Sequence, residues 1–355
     1  MRLQIVTQNF PPRIGGIQNV MLSLANNFSN LGFNVNVFPD HYFSGKKNFK
    51  VTNFTLPKII RPQAKKLLLK LKGNQEDLIL CDTWKSIRAI PDNFKNIVVF
   101  AHGQEYLDIN KNKLRIEKSL SKVKFLVASS NYTLNLIKKN WDVSFLSSKV
   151  IYPTYHLSKS SFNKQISKDR NKIRFVSICR IEKRKGLLES MNALKIIFSR
   201  GYDFSWDIIG DGPYIGILKN ECSNLKLASK VVFHGKINND HSRDKILRNS
   251  DVFIMPSFQD KFSIEGFGLS YIEAARYGIP SIAGKSGGAP EAVIHKETGW
   301  CVSALNQEDL INTIIESITN YNQRINYGEK ALKKFNSEFA GNKVTNQLID
   351  FVKQI

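Results

Sequence analysis

Acidic residues are scarce in this chain: 30 Asp+Glu stand against 52 Lys+Arg over 355 residues, a formal net charge of +22. Cysteine is scarce too. The four present, Cys81, Cys179, Cys222 and Cys301, lie far apart with no C-x2-C pair, which argues against a zinc site and a disulfide scaffold and fits a reducing cytoplasm. No apolar run approaches the ~18 residues needed to span a bilayer, and Met1-Arg2-Leu3-Gln4-Ile5-Val6 enters a strand directly, without the hydrophobic block of a signal peptide. The expectation is a cytoplasmic protein, neither exported by that route nor integral to a membrane. There is no G-x-G-x-x-G string, no D-x-D string and no repeat of about 20 to 50 residues. No His/Cys/carboxylate cluster has metal-ligand spacing, so neither a metal nor a cofactor is expected.

What is present suits a two-domain α/β enzyme, because 355 residues with 42% apolar content can bury more than one core. The positive charge is uneven. Residues 1–170 carry 27 Lys+Arg against 10 Asp+Glu, or +17, and the remainder 25 against 20, or +5. That asymmetry points the first half toward an anionic partner: a membrane face, a phosphate-bearing acceptor or nucleic acid.

Strand and helix patterns alternate throughout. Strands are predicted at 3–7, 34–38, 78–81, 97–101 and 125–128, with helices over 17–31 and 131–139. The Ser/Lys/Asn-rich stretch after His156 marks a linker at 161–171. The pattern then restarts with strands at 173–179, 205–210, 231–235, 252–255 and 280–283. The predicted organisation is an N-terminal Rossmann-like domain over 1–160, a second over 172–335, and a C-terminal helix in 336–355 packing back on the first.

Residues 256–291 are the most informative stretch. Glu265 and Glu273 flank Gly266-Phe267-Gly268-Leu269, and Gly287-Gly288-Ala289-Pro290-Glu291 closes the segment. Glycines let the backbone approach a ligand, and the first N–H groups of a helix suit an anion. Eight positions at about 100° each leave the two carboxylates roughly 80° apart, which permits convergence on one ligand without requiring it. Taken alone, Glu265 reads as a cap on the helix N-terminus and Glu273 as a residue on its solvated face.

This segment is similar to the E-x7-E motif of the family 4 retaining glycosyltransferases, also called glycosyltransferase group 1. The likeness extends to Arg180-Ile181-Glu182-Lys183-Arg184-Lys185-Gly186, where family members have Arg, four residues, then Lys-Gly. It extends also to Gly210-Asp211-Gly212-Pro213, to Phe233-His234-Gly235 and to the N-terminal Gly15-Gly16 loop. The resemblance covers nearly the whole chain, densely over 172–302. It departs at Pro153-Thr154-Tyr155-His156, where relatives often carry Asn-Gly-Val-Asp, so no site residue is transferred there. Asp211 reads as a turn residue and His234 as structural.

The resemblance implies a GT-B fold, with two Rossmann-like doubly wound domains facing across a cleft. It further implies transfer of a sugar, with retention, from a nucleotide-diphospho-sugar to a saccharide or lipid-linked acceptor in surface polysaccharide assembly. Arg180 and Lys185 would hold the diphosphate, Glu265 would orient the donor sugar and His102 would bond a sugar hydroxyl. Glu273 would hold the ribose, while the backbone of Gly266, Phe267, Gly268 and Leu269, with Gly15 and Gly16, would approach phosphate. A sugar-nucleotide epimerase of the same fold and a basic nucleic-acid-binding protein are the rival readings; no recognised nucleic-acid motif is present, so nucleic acid is not the expected partner. Residues 58–72 read either as a surface helix packed on the core or as a basic amphipathic segment. In the second case Lys58, Arg61, Lys65, Lys66, Lys70 and Lys72 would face anionic lipid and place the chain peripherally on the inner face of a membrane.

Overall fold

All the predicted strands fold into one of two parallel sheets in the computed structural model, which describes residues 2–13, 15–45, 47–154, 172–237 and 240–353. The predicted linker 161–171 lies outside the described residues. The chain divides into two units, Met1–Leu157 with Phe339–Ile355, and Ser158–Glu338.

The first unit runs β1 (Arg2–Val6), α1 (Gly16–Asn30), β2 (Asn34–Phe38), β3 (Lys50–Val51), α2 (Arg61–Lys72), β4 (Leu78–Cys81), β5 (Ile97–Ala101), α3 (Lys113–Leu120), β6 (Phe125–Ala128), α4 (Asn131–Asn140) and β7 (Ser147–Val150). Its seven strands lie in the order β3-β2-β1-β4-β5-β6-β7. Every residue of β4, β5 and β6 is buried, because helices cover both faces; this is why these strands read as continuous apolar runs and not as alternating ones. Ser130 caps α4 by accepting the backbone N–H of Thr133.

The second unit runs β8 (Lys172–Ile178), α5 (Leu187–Ser199), β9 (Asp203–Ile209), α6 (Ile215–Asn224), β10 (Val231–Gly235), α7 (Asp240–Arg248), β11 (Val252–Met255), α8 (Leu269–Ala275), β12 (Ser281–Gly284), α9 (Ala289–Ala292), β13 (Gly299–Val302), α10 (Gln307–Thr319) and α11 (Tyr321–Lys334). Its six strands are ordered β10-β9-β8-β11-β12-β13. Phe175, Phe204, Trp206 and Trp300 are buried in its core, and the Trp206 indole donates to Ser177 Oγ at 2.9 Å. A π-helical turn (Phe335–Phe339) leads into α12 (Gly341–Lys353), which packs on α1 of the first unit. Phe351 meets Phe125 edge to face there, with ring centroids 5.4 Å apart.

Residues 61–72 form a helix, α2, but Lys65 does not face solvent. Its side chain is buried, with Nζ bonded to Asp40 Oδ1 and to the carbonyl of Thr7 at 3.0 Å. The expectation that Lys65 faces lipid is corrected. Burial pulls its ammonium below the ordinary lysine range, and Asp40 offsets part of that shift. His234 pairs across neighbouring strands with Asp207 at 2.6 Å, and Asp211 accepts the N–H of Gly212 at 2.8 Å, closing its turn.

Gly210 shows how closely that turn fits. Its φ is +137°, and an added Cβ would lie 1.8 Å from the carbonyl oxygen of Cys179. Gly210→Ala is therefore expected to destabilise the protein by about 3 kcal/mol or more, or to prevent folding. Gly201→Ala, at φ +90° with nothing within 4 Å, meets backbone strain alone and should cost only about 1–2 kcal/mol. Urea midpoints of the two variants check the contrast; equal midpoints would show that the turn can yield.

Candidate active site

Where strand order reverses in a doubly wound sheet, the loops after two neighbouring strands diverge and leave a crevice at the carboxyl ends. In the second unit this point lies between β8 and β11, which pair directly. The loop after β8 contains Arg180 to Gly186 and the loop after β11 contains Glu265. The two are joined by a backbone bond from Phe258 N–H to Arg184 C=O at 2.9 Å.

Side chains from these loops form an array of alternating charge. Arg180 Nε lies 3.2 Å from Glu182 Oε1, and Glu182 Oε2 lies 3.2 Å from Arg184 Nε. Arg184 then donates from Nη1 to Glu265 Oε2 at 3.1 Å, and Lys185 Nζ donates to the same oxygen. Arg184 and Lys185 are buried, whereas the Arg180 side chain is 72% exposed at the open end of the array. Burial pushes the Glu265 carboxyl upward, but Lys185 and Arg184 outweigh it and hold the group below the usual carboxylate range. Both cations bind Oε2, so among the described residues Oε1 receives no protein donor. The lysine ammonium likewise uses one of its three N–H bonds on Glu265.

The rest of the predicted motif lies around this array. Gly268 precedes α8 in a left-handed conformation, with φ +99°. Gly266, Phe267 and Gly268 are buried, while Leu269 is half-buried. The N–H of Gly288, in the loop after β12, donates to the carbonyl of Glu265 at 2.9 Å, so three adjacent strand ends fix this backbone. Glu273 is buried on α8 and accepts from Nη2 of Arg243 on α7. Arg184 and Arg243 were not singled out by sequence reasoning. Arg184 was legible as one more cation in a basic loop; nothing near Arg243 in sequence marks its partner.

The first unit reverses strand order between β1 and β4, and a second polar cluster lies there. Buried Asp82, just past β4, accepts through Oδ2 from Thr7 Oγ1 (2.9 Å), the Gln8 N–H (3.1 Å), the Asn9 N–H (2.9 Å) and Asn9 Nδ2 (2.8 Å). Its backbone carbonyl lies 2.8 Å from Nε2 of His102, the residue after β5. A carbonyl only accepts, so Nε2 is the donor in this contact, and in a neutral ring Nδ1 is then the acceptor. Gly15 and Gly16 open the 15-residue helix α1, which has no side-chain cap and no acidic residue in its first turn. Asp82 was missed at the sequence level; its only signal was a carboxylate directly after an apolar run. Among the described residues, no group of three or more His, Cys, Asp or Glu is arranged to hold a metal ion.

Residues 158–334 match the family model described as Glycosyl transferases group 1. Over 180 residues the chain is 28% identical to the GDP-mannose-dependent alpha-(1-6)-phosphatidylinositol monomannoside mannosyltransferase of Mycobacterium tuberculosis; the match covers 50% of this chain and 46% of that protein, so the chain aligns with less than half of it. A GDP-mannose-dependent monoacylated alpha-(1-6)-phosphatidylinositol monomannoside mannosyltransferase of Corynebacterium glutamicum is 23% identical over 97% of each chain. Among solved structures, Anabaena Alr3699/HepE in complex with UDP and glucose superposes with a TM-score of 0.76 at 16% identity, covering 100% of this chain and 99% of that one. At that identity the likeness bears on the fold, which is GT-B.

The Glu265 geometry carries a pH dependence. Its carboxyl is held below the ordinary 4.5, so the folded protein binds this proton less readily than the unfolded chain. The resulting stability is fully present above about pH 5 and is lost as pH falls through the folded-state value. The gap in unfolding free energy between wild type and Glu265→Gln should therefore narrow between about pH 6 and pH 3. Chemical denaturation across that range reads it, and a constant gap would contradict the ion pairing.

Proposed function

Because the chain belongs, through residues 158–334, to the glycosyl transferases group 1, we propose that it transfers a sugar, with retention of configuration, from a nucleotide-diphospho-sugar to an acceptor hydroxyl. The observation that carries this reading is the charge array at the β8/β11 crevice. It holds three cations and two carboxylates, and it keeps unused donors on Lys185 and Arg180 beside an unused acceptor on Glu265. A donor sugar bearing a diphosphate needs both kinds of group, cations for the phosphates and a fixed carboxylate for a hydroxyl.

In this reading Arg180 and Lys185 hold the diphosphate, and Glu265 Oε1 accepts from a hydroxyl of the donor sugar. The bond from the anomeric carbon to the phosphate oxygen stretches first, and its electron pair leaves with the diphosphate. The sugar gains oxocarbenium character as the two cations stabilise the departing charge. The acceptor oxygen then bonds to the anomeric carbon, and its proton passes to a phosphate oxygen. Glu265 is a poor base for that proton, since neighbouring cations already favour its ionised form. The backbone of Gly266, Phe267, Gly268 and Leu269 lies along the phosphates. Glu273 holds the ribose, which requires the hydroxyls to share or replace the Arg243 contact.

GDP-mannose in the relatives' names and UDP in the structural neighbour support a purine or pyrimidine diphosphate sugar as donor. A lipid-linked saccharide acceptor at the inner face of a membrane is supported by the phosphatidylinositol mannosides in the relatives' names and by the +17 charge of residues 1–170. The epimerase reading gains no support from the proteins described above.

Thermal unfolding with UDP- and GDP-sugars should show one donor series raising the midpoint by mass action. With that donor, Lys185→Ala and Glu265→Gln should each lower transfer by about 100-fold or more, the scale of losing one electrostatic group. Turnover near wild type in both variants would reject these roles, and isomerised donor in the absence of acceptor would favour an epimerase.

A further inference from the structure

A second cationic feature lies in the first unit, apart from the loops described above. A cavity of about 250 Å³ is lined by Ile87, Arg88, Arg115, Lys118, Ser119 and Lys122. Four of the six lining residues are cations and none is acidic. Arg88 projects from a 3-10 turn (Ser86–Ala89) that packs beside α2, while Arg115 and Lys118 lie one turn apart on α3, and Lys122 follows its end. Ile87 and Ser119 are buried, whereas Arg88, Arg115 and Lys118 are exposed and have no carboxylate at ion-pair distance among the described residues. Of the four cations only Lys122 has a carboxylate partner, Asp92; the other three repel one another, and an anion seated among them relieves that repulsion.

The neighbouring surface indicates what carries the anion. Asp92 bonds Lys122 at the cavity and also lies 3.6 Å from Lys66 of α2, so it links the cavity edge to that helix while offsetting part of their charge. There Leu67 and Leu71, one turn apart, are 58% and 71% exposed, beside Lys66 and Lys70. Ile59, just before α2, is 82% exposed, and Leu114, beside Arg115 on α3, is 80% exposed. Exposed aliphatic side chains alternating with Lys and Arg are the anatomy of a surface that sinks shallowly into a bilayer while its cations meet headgroup phosphates. A soluble phosphate would account for the cavity but not for the leucines.

We propose that the Arg88/Arg115/Lys118/Lys122 cavity seats the phosphate of an anionic phospholipid, and that Leu67, Leu71 and Leu114 enter the same leaflet. This rests on the membrane-side part of the proposed function and is independent of the donor chemistry. Lys65 takes no part, being buried against Asp40.

The full chain is sedimented with vesicles of phosphatidylcholine alone and of phosphatidylcholine with phosphatidylglycerol. Wild type is expected to bind the anionic vesicles selectively and to lose binding at high salt. The triple variant Arg88→Ala/Arg115→Ala/Lys118→Ala should bind them on the order of 100-fold more weakly, since each basic residue near the surface adds about 1 kcal/mol. Leu67→Ser/Leu71→Ser should also weaken binding, while thermal stabilisation by the cognate sugar nucleotide stays unchanged in both variants. No vesicle binding by wild type, equal binding to both lipid compositions, or equal binding by the triple variant would each overturn the proposal. A midpoint shift with inorganic phosphate that depends on Arg88, without vesicle binding, would overturn it in favour of a soluble phosphate ligand. A donor shift with no vesicle binding would leave the transfer reading standing, and vesicle binding with no donor shift would leave the lipid site standing.

Discussion

Arg184 and Lys185 are consecutive buried cations, and neither can stay charged out of water unless a carboxylate meets it. Glu265 meets both from a loop 80 residues further along the chain, and Glu182 holds the other side of Arg184. Removing one partner from such a set leaves a buried charge uncompensated, at a cost of about 3–5 kcal/mol. The loops after β8 and β11 are therefore tied to one mutual position, and the Gly288 bond to the Glu265 carbonyl adds the loop after β12. The same tie favours the ionised form of Glu265 and leaves its second oxygen without a protein donor among the described residues, so one electrostatic constraint bears on both the fold of the crevice and its chemical character.

The first unit meets a similar demand differently. Its hub is Asp82, whose Oδ2 is surrounded by donors from Thr7, Gln8 and Asn9, all in the segment after β1. Lys65 and Asp40 form a second buried pair that adds the end of β2. These groups satisfy one another almost completely, so they shape the carboxyl ends of β2, β1, β4 and β5 without leaving much to offer a ligand. What that edge still presents is Nδ1 of His102 and the uncapped start of α1. The second unit keeps donors and acceptors in reserve, and its array has the asymmetry suited to a phosphate on one side and a hydroxyl on the other.

The basic excess of the first half resolves into two populations once side chains are placed. Lys65 faces inward and is structural, while Arg88, Arg115 and Lys118 face outward and gather round one cavity. Sequence periodicity could not separate them. On a helix as lysine-rich as α2, inward and outward positions differ by one residue, and which lysine turns inward depends on where a carboxylate waits for it. Asp40, at the far end of β2, supplies that carboxylate.

The sequence by itself determined the two parallel sheets, because strands covered on both faces must be apolar throughout and glycine-rich or charged connections must follow them. It also pointed to Glu265, Lys185 and Arg180, which lie in the loops that follow such strands. Short elements escaped it: α3 is too charged to show a core face over eight residues, and β3 has only two residues. Tertiary structure alone decided the partners. Arg184 with Glu265, Arg243 with Glu273, and Asp82 with the segment after β1 are separated by 81, 30 and up to 75 residues. No local pattern encodes such pairs, since a buried charge is matched by whichever opposite charge the folded chain brings within reach.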